Sequence, residues 1–322
     1  MTEAPDAPAP KPTSGAGLVA GDGAEFAPRA DPVAGAGAPA GAESVPAGGA
    51  RRAAVCGKPI GHSLSPVIHT AGFAAAGLLT WSYTAIECAE SELPDLVAGL
   101  GPEWAGLSVT MPLKEVALAL ATTASPAAVA VGAANTLTPL PSGGWHADNT
   151  DIPGMVRVLR DAGIVDHPTV TILGAGGTAR AALAAAADLG AAQVTVVARR
   201  PEARAELTAV ASALGLSITG VGWDEATTLF DADVVISTVP KGAADHLTAV
   251  AAWRPGSVFF DAIYDPWPTP LAAAATANAV AVVSGLDLLL AQALGQFEQF
   301  TGVKPAPEAA MRAALTAAAS LR

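Results

Sequence analysis

Thr169-Val170-Thr171-Ile172-Leu173-Gly174-Ala175-Gly176-Gly177-Thr178-Ala179-Arg180 reads as a β-branched strand, a glycine-rich turn and the start of an alanine-rich helix running to Leu189. The next apolar run, Gln193–Val197, completes a strand–helix–strand unit. The turn fits the pattern G-x-G-x-x-(G/A), which carries meaning only between a strand and a helix. Gly174 permits the tight turn, Gly176 lets the backbone approach a pyrophosphate, and Ala179 lets the helix pack closely on the strand. Ala175, Gly177 and Thr178 complete the loop, and the helix N-terminus turns unpaired N–H groups and a positive dipole end towards an anion. The stretch predicts a dinucleotide site at the head of a doubly wound sheet.

The end of the second strand discriminates between dinucleotides. An acid there would bond a ribose 2′-hydroxyl, whereas Ala198-Arg199-Arg200 brings two guanidinium groups and no acid before Glu202. Paired arginines suit a 2′-phosphate, so NADP is the expected cofactor. Arg204, one helical turn further on, is either a third contact or a solvated helix charge.

Downstream, strands are expected at Asp233–Ser237, Ser257–Asp261 and Val280–Val283, with helices or loops between them. Upstream, strand-like runs at Ala53–Cys56, Trp81–Glu87 and Gly106–Thr110 alternate with helical stretches at Pro66–Ala76, Ser91–Leu100 and Lys114–Ala121. That alternation predicts βαβ units and a mostly parallel sheet. Ala134–Thr138 and Gly144–Asp148, either side of a Pro-Ser-Gly turn, predict a hairpin added to it. A helix over Ile152–Ala162 leads to the boundary before Thr169, and helices over Leu286–Phe300 and Pro307–Leu321 are expected to fold back on the first domain. The expected domains are a tail over 1–50, a substrate domain over 51–151, a nucleotide domain over 152–285 and the C-terminal helices over 286–322.

The 322 residues suffice for two cores and a cleft between them. Apolar residues make up 51% and aromatics 5%, so packing has to rely on Ala, Val and Leu. A net charge of −12 lacks the basic footprint of a nucleic-acid binder, so any bound anion is held locally. Cys56 and Cys88 have neither CxxC nor Cys/His spacing, which predicts inert thiols and no metal site. The Ala/Gly/Pro-rich first 50 residues predict a disordered tail. Without a basic, apolar leader or a membrane-length apolar run, a soluble cytoplasmic protein is expected, as a monomer or homodimer.

Four further motifs accompany the glycine loop: Gly57-Lys58-Pro59-Ile60-Gly61-His62-Ser63-Leu64-Ser65-Pro66; Ser108-Val109-Thr110-Met111-Pro112-Leu113-Lys114; Ala134-Asn135-Thr136 with Asp148-Asn149-Thr150-Asp151; and Gly285-Leu286-Asp287 with Gln292. In this order they resemble the shikimate dehydrogenase family, from Ala53 nearly to the C-terminus. The resemblance implies two α/β domains, an N-terminal mostly parallel βαβ substrate domain and a C-terminal Rossmann doubly wound NADP-binding domain. It also implies an NADP-dependent oxidoreductase that interconverts 3-dehydroshikimate and shikimate in aromatic amino-acid biosynthesis.

Read without the resemblance, Lys114 is either a snorkelling surface lysine or a shuttle for a hydroxyl proton, and Asp151 either a helix cap or that lysine's partner. The resemblance implies the second role for each. It assigns the substrate carboxylate to Ser63 and Ser65, otherwise ordinary capping residues, and ring hydroxyls to Thr110, Asn135 and Gln292, with Ser108 and Thr150 beside them. Tyr264 is either near the cleft or interface packing. Gly285 and Thr238 join the cofactor contacts, and Asp148 is expected to be structural.

Several positions depart from the commoner pattern. Ser108 stands where many members carry Asn, Ala198 replaces an Asn, Ser237-Thr238-Val239-Pro240 replaces Asn-Ala-Thr-Ser, and Leu288 occupies a common Met position. These bear on affinity and specificity. A quinate/shikimate dehydrogenase using NAD, and a ligand sensor without catalysis, are the competing readings.

Overall fold

The computed structural model describes residues 49–191, 193–223 and 229–321, so the tail expected over residues 1–50 lies almost wholly outside the described residues. The first half runs β1 (Arg52–Gly57), α1 (Ser65–Ala75), β2 (Ser82–Glu87), α2 (Leu93–Ala98), β3 (Trp104–Val109), α3 (Lys114–Leu120), β4 (Thr123–Ala124), α4 (Pro126–Val131), β5 (Thr136–Pro139) and β6 (Trp145–Asp148). Its strands form one sheet in the order β2-β1-β3-β5-β6-β4. β1 pairs in parallel with β2 and β3, while β5 and β6 form the expected antiparallel hairpin.

α5 (Asp151–Asp161) leads into β7 (Thr169–Leu173), α6 (Gly177–Asp188), β8 (Gln193–Val197), α7 (Pro201–Ala213), β9 (Ile218–Val221), β10 (Val234–Ser237), β11 (Val258–Asp261), α8 (Pro270–Ala277) and β12 (Ala281–Ser284). This sheet has the order β12-β11-β10-β7-β8-β9 with every pair parallel. It is the doubly wound arrangement in which ligands lie where the strand order reverses, here between β7 and β10.

Both faces of this second sheet are covered, which is why its strands read as unbroken apolar runs. Val170, Ile172, Val194 and Ile236 face one core with Ala182, Ala185 and Ala186 of α6, and Leu173, Val197, Val235 and Phe259 face another with Leu271 and Ala272 of α8. Alanine lets α6 lie close to the strands, so a chain poor in aromatics still fills its interior. The opposite side of α6 places Ala181 and Ala184 against Val131, Ala133 and Ile152, joining the two halves below the cleft.

α9 (Gly285–Thr301) and α10 (Glu308–Ala319) return to the first half. Leu290, Phe297, Phe300, Met311 and Leu315 pack with Ile68, Phe73 and Tyr83. α9 starts with a capping box in which the Ser284 and Asp287 side chains each accept from the other's backbone N–H.

The local readings need three corrections. The helix expected over Ser91–Leu100 is only Leu93–Ala98, because the Glu92 carboxylate accepts from the Ala89 N–H and closes a turn ahead of it. α4 lies in a stretch with no helical expectation, yet its ends carry signals: Ser125 accepts from the Ala128 N–H, Pro126 follows, and Gly132 closes it at φ 65°. β9 is an edge strand whose Thr219 and Gly220 are exposed, so it shows little apolar periodicity.

Candidate active site

Lys114 opens α3 and Asp151 opens α5, and Lys114 Nζ donates to Asp151 Oδ2 at 2.5 Å. Their side chains are 17% and 11% exposed, so the pair is shielded from water on most sides and open on one. The strand segment beside them fixes both. The Ala134 N–H donates to the Lys114 carbonyl at 2.9 Å, and Asn149 Nδ2 donates to the Ala133 carbonyl at 2.9 Å. Asn149 Oδ1 accepts from the Asp151 N–H at 3.2 Å. An ammonium has three protons, so one bond to Asp151 leaves donors for a ligand.

The glycine loop faces this pair. Gly174 has φ +112°, and a Cβ there would meet Thr238 Oγ1 at 2.4 Å, so only glycine makes this turn. Thr238 Oγ1 donates to the Leu173 carbonyl at 2.9 Å, bracing the end of β7 at the switch point. α6 begins at Gly177, and its first N–H groups have no helical partner. The Cβ position of Gly177 is 3.8 Å from Lys114 Cδ, which brings the anion cradle into contact range of the lysine.

Between them lies a cleft of about 930 Å³. Thr110, Met111 and Lys114 line one side and Gly174 to Thr178 the other, while exposed Arg199 and Arg200, with Trp223, line the part beyond β8 and β9. Arg180, in the first turn of α6, ties the walls together: Nη1 lies 3.2 Å from Glu115 Oε1 and Nη2 3.6 Å from Glu206 Oε2. A smaller hollow of about 260 Å³ among α5, α9, α10 and β12 has Arg157 paired with Glu308 and Asp161 and Arg312 paired with Glu308, so its two cations already face two acids.

A family model for the shikimate dehydrogenase substrate binding domain matches residues 55–137, and one for the shikimate 5′-dehydrogenase C-terminal domain matches residues 285–316. Between them, residues 169–261 match a model described as NADP oxidoreductase, coenzyme F420-dependent. The chain is 39% identical over 266 residues to a shikimate dehydrogenase (NADP(+)) of Caulobacter vibrioides, covering 80% of this chain and 92% of that one. The chain belongs to the shikimate dehydrogenase family. The crystal structure of Mycobacterium tuberculosis shikimate dehydrogenase superposes with a TM-score of 0.77 at 46% identity, covering 83% of this chain and 99% of that one. A Thermus thermophilus shikimate 5-dehydrogenase solved with NADP(H) and shikimate superposes with a TM-score of 0.72 at 29% identity, covering 83% of this chain and 99% of that one.

In this shikimate dehydrogenase family member Thr110, Lys114, Gly174 to Thr178, Arg199, Arg200 and Thr238 line the cleft, and the other expected residues do not. Ser63 and Ser65 stand at the start of α1, where Ser63 Oγ accepts from the Ser65 N–H at 3.3 Å. Asn135 and Thr150 are buried and bonded to each other. Gln292 is 7% exposed and donates to the Leu289 carbonyl at 2.8 Å, and Tyr264 packs half-buried at the edge of the first core. Gly285 lies against the Ala262 carbonyl with no room for a side chain, and Ala179 is fully buried under the loop. Asp148 is structural, accepting from the Asn149 N–H and from Gln299 Nε2.

Two expectations are corrected. Ser108 is not a cleft-lining group: on β3 its side chain turns towards α9, accepting from the Tyr83 hydroxyl and donating to Gln296 Oε1, each at 2.7 Å. Arg204 is half-buried rather than a solvated helix charge. Its Nη1 donates to the Ala198 carbonyl at 2.9 Å and supports the loop that presents Arg199 and Arg200. Glu115, Gln296 and Trp223 were not singled out from the sequence. Only Gln296 carried a signal, standing four residues, about one helical turn, after Gln292.

Proposed function

We propose that the chain catalyses reversible reduction of 3-dehydroshikimate to shikimate with NADPH, a step of aromatic amino-acid biosynthesis in the cytoplasm. In this reading the first sheet with α9 and α10 holds the carbocyclic acid, and the second sheet holds the nucleotide. The observation that carries it is the Lys114–Asp151 pair facing the glycine loop across one cleft. NADP fits the residues present. The cradle at Gly176 has open space where a side chain would stand, and Arg199 and Arg200 are exposed where a 2′-phosphate needs partners.

When bound, the nicotinamide supplies the hydride chemistry. In reduction Lys114 Nζ gives a proton to the substrate oxygen, and in oxidation it takes that proton back. Asp151 Oδ2 holds the ammonium and accepts from the same hydroxyl. Ser63 and Ser65 bind the carboxylate, while Thr110, Asn135, Thr150 and Gln292 read the ring oxygens, with Tyr264 at the rim. Such groups discriminate strongly, because a ligand lacking a hydroxyl leaves them buried and unpaired. The loop from Gly174 to Ala179 takes the pyrophosphate, with Thr238 and Gly285 towards the nicotinamide end. Closeness of the two walls supports alignment and exclusion of water.

The test is reduction of NADP+ and of NAD+ by the purified protein with shikimate and with quinate. The expected result is the highest kcat/KM for NADP+ with shikimate. A clear preference for NAD+ or quinate overturns the assignment of cofactor or substrate, and no turnover with any pair leaves a binding protein.

A further inference from the structure

Asn135 sits in a buried hydrogen-bonded cluster whose polarity is set by groups able to act in one sense only. The Asn135 main-chain oxygen can only accept, so the Gln296 atom 3.0 Å away is the amide nitrogen. Gln296 Oε1 therefore faces Ser108, whose hydroxyl donates to it at 2.7 Å, and the Tyr83 hydroxyl donates to Ser108 Oγ at 2.7 Å. The other Gln296 N–H meets Thr136 Oγ1 at 3.0 Å, so the Thr136 proton turns away, to Asn135 Oδ1 at 2.7 Å. The Thr150 main-chain N–H, which can only donate, reaches the same Oδ1 at 2.8 Å.

Oδ1 is thus held by the Thr136 hydroxyl and the Thr150 N–H, with the Thr150 hydroxyl a third, longer donor at 3.2 Å, and Nδ2 donates to Thr150 Oγ1 at 3.0 Å with its second N–H uncommitted among the described residues. Turning the amide over would set Nδ2 against the Thr150 N–H, two donors face to face in a dry interior. Tyr83, Ser108, Gln296, Thr136, Asn135 and Thr150 are all buried, so water does not relieve such a mismatch.

We propose that Thr136 and Gln296 are positioning residues that lock Asn135 as a hydrogen-bond donor, so that the ring oxygen it reads is held as an acceptor. The proposal rests on the reading above that Asn135 touches the substrate. It gives Ser108 a role at second hand: its hydroxyl fixes the Gln296 amide, and Gln296 fixes Asn135.

The test is a set of steady-state measurements on Thr136→Val, Asn135→Ala and the double variant, with thermal melts of each. Thr136→Val keeps the side-chain shape and removes the Thr136 donor to Asn135 Oδ1, loosening the amide and leaving the Thr150 N–H as its backbone restraint. Its KM for shikimate is expected to rise ~10-fold, the worth of one oriented hydrogen bond, with KM for NADP+ unchanged. In the Asn135→Ala background the same substitution is expected to add nothing, because the residue it acts through is gone. An unchanged KM for shikimate in Thr136→Val, or an equal rise in both backgrounds, overturns the proposal.

Gln296→Met and Ser108→Ala carry the same comparison if Thr136→Val does not fold. The failures are distinguishable. Wild-type protein inactive with shikimate removes the functional reading, and a normal KM in Asn135→Ala removes the Asn135 contact; either takes the proposal with it. A raised KM in Asn135→Ala with no effect of the positioning variants removes the proposal alone.

Discussion

Arg180 Nη1 lies 3.2 Å from Glu115 Oε1, so α6, which opens at the glycine loop, is tied by an ion pair to the residue following Lys114. The Glu115 side chain is 67% exposed, which limits the pair to the weak, screened class of surface contacts. Glu115→Gln is expected to lower kcat/KM for NADP+ only about two- to threefold at low salt. The deficit should fade near ~1 M salt, where charges are screened within ~3 Å. A deficit that persists at high salt would assign the effect to something other than this pair.

Lys114→Ala removes the proposed proton donor while leaving the walls of the cleft in place. Turnover is expected to fall ~10²–10⁴-fold with little change in substrate dissociation constant. Parallel kcat measurements and shikimate binding titrations check this, and near-normal kcat would remove Lys114 from the mechanism.

Arg199 and Arg200 are exposed at the end of β8, with the loop braced by Arg204. Arg199→Ala is expected to weaken NADPH binding ~10-fold or more, the worth of a charge-assisted hydrogen bond, and to leave NADH nearly untouched. Equal losses for both nucleotides would mean that Arg199 does not read the 2′-phosphate.

His69 is fully buried and stacked on Tyr83, with ring centroids 4.2 Å apart. Burial pushes its imidazole down from 6.5 to about 3, with Gln296 acting in the opposite sense. Between those values the unfolded chain binds the proton more tightly than the folded one. Stability is therefore fully present above about pH 6.5 and is lost as the pH falls towards 3. In that window the wild type should lose ~1.4 kcal/mol per pH unit more than His69→Phe. Urea melts of both across the range check the slope, and equal slopes would mean that His69 titrates normally in the fold.

What the sequence revealed depended on how locally each feature is determined. β7 and β8 were legible to the residue because both faces of the second sheet are covered and their apolar runs begin and end with burial. β9 was not, since an edge strand with Thr219 and Gly220 in solvent lacks that contrast. Lys114 and Asp151 were visible as residues, yet their 2.5 Å contact spans 37 positions and exists only because β5 and β6 bring α5 back to α3. Ser108 shows the limit most clearly. Its motif placed it beside the substrate residues, but its direction from β3 is set by Gln296, 188 positions away.

The helices that cover the first core, α9 and α10, come after all of the second sheet. On the ribosome β1, α1 and β2 emerge early, but Ile68, Phe73 and Tyr83 await Phe297, Phe300 and Met311. The strands of the second half can pair with one another as soon as β12 is made, whereas the first half stays greasy and half-dressed until the final helices arrive. A ribosome stalled after β12 would therefore expose the apolar surface of Ile68, Phe73 and Tyr83 to chaperones.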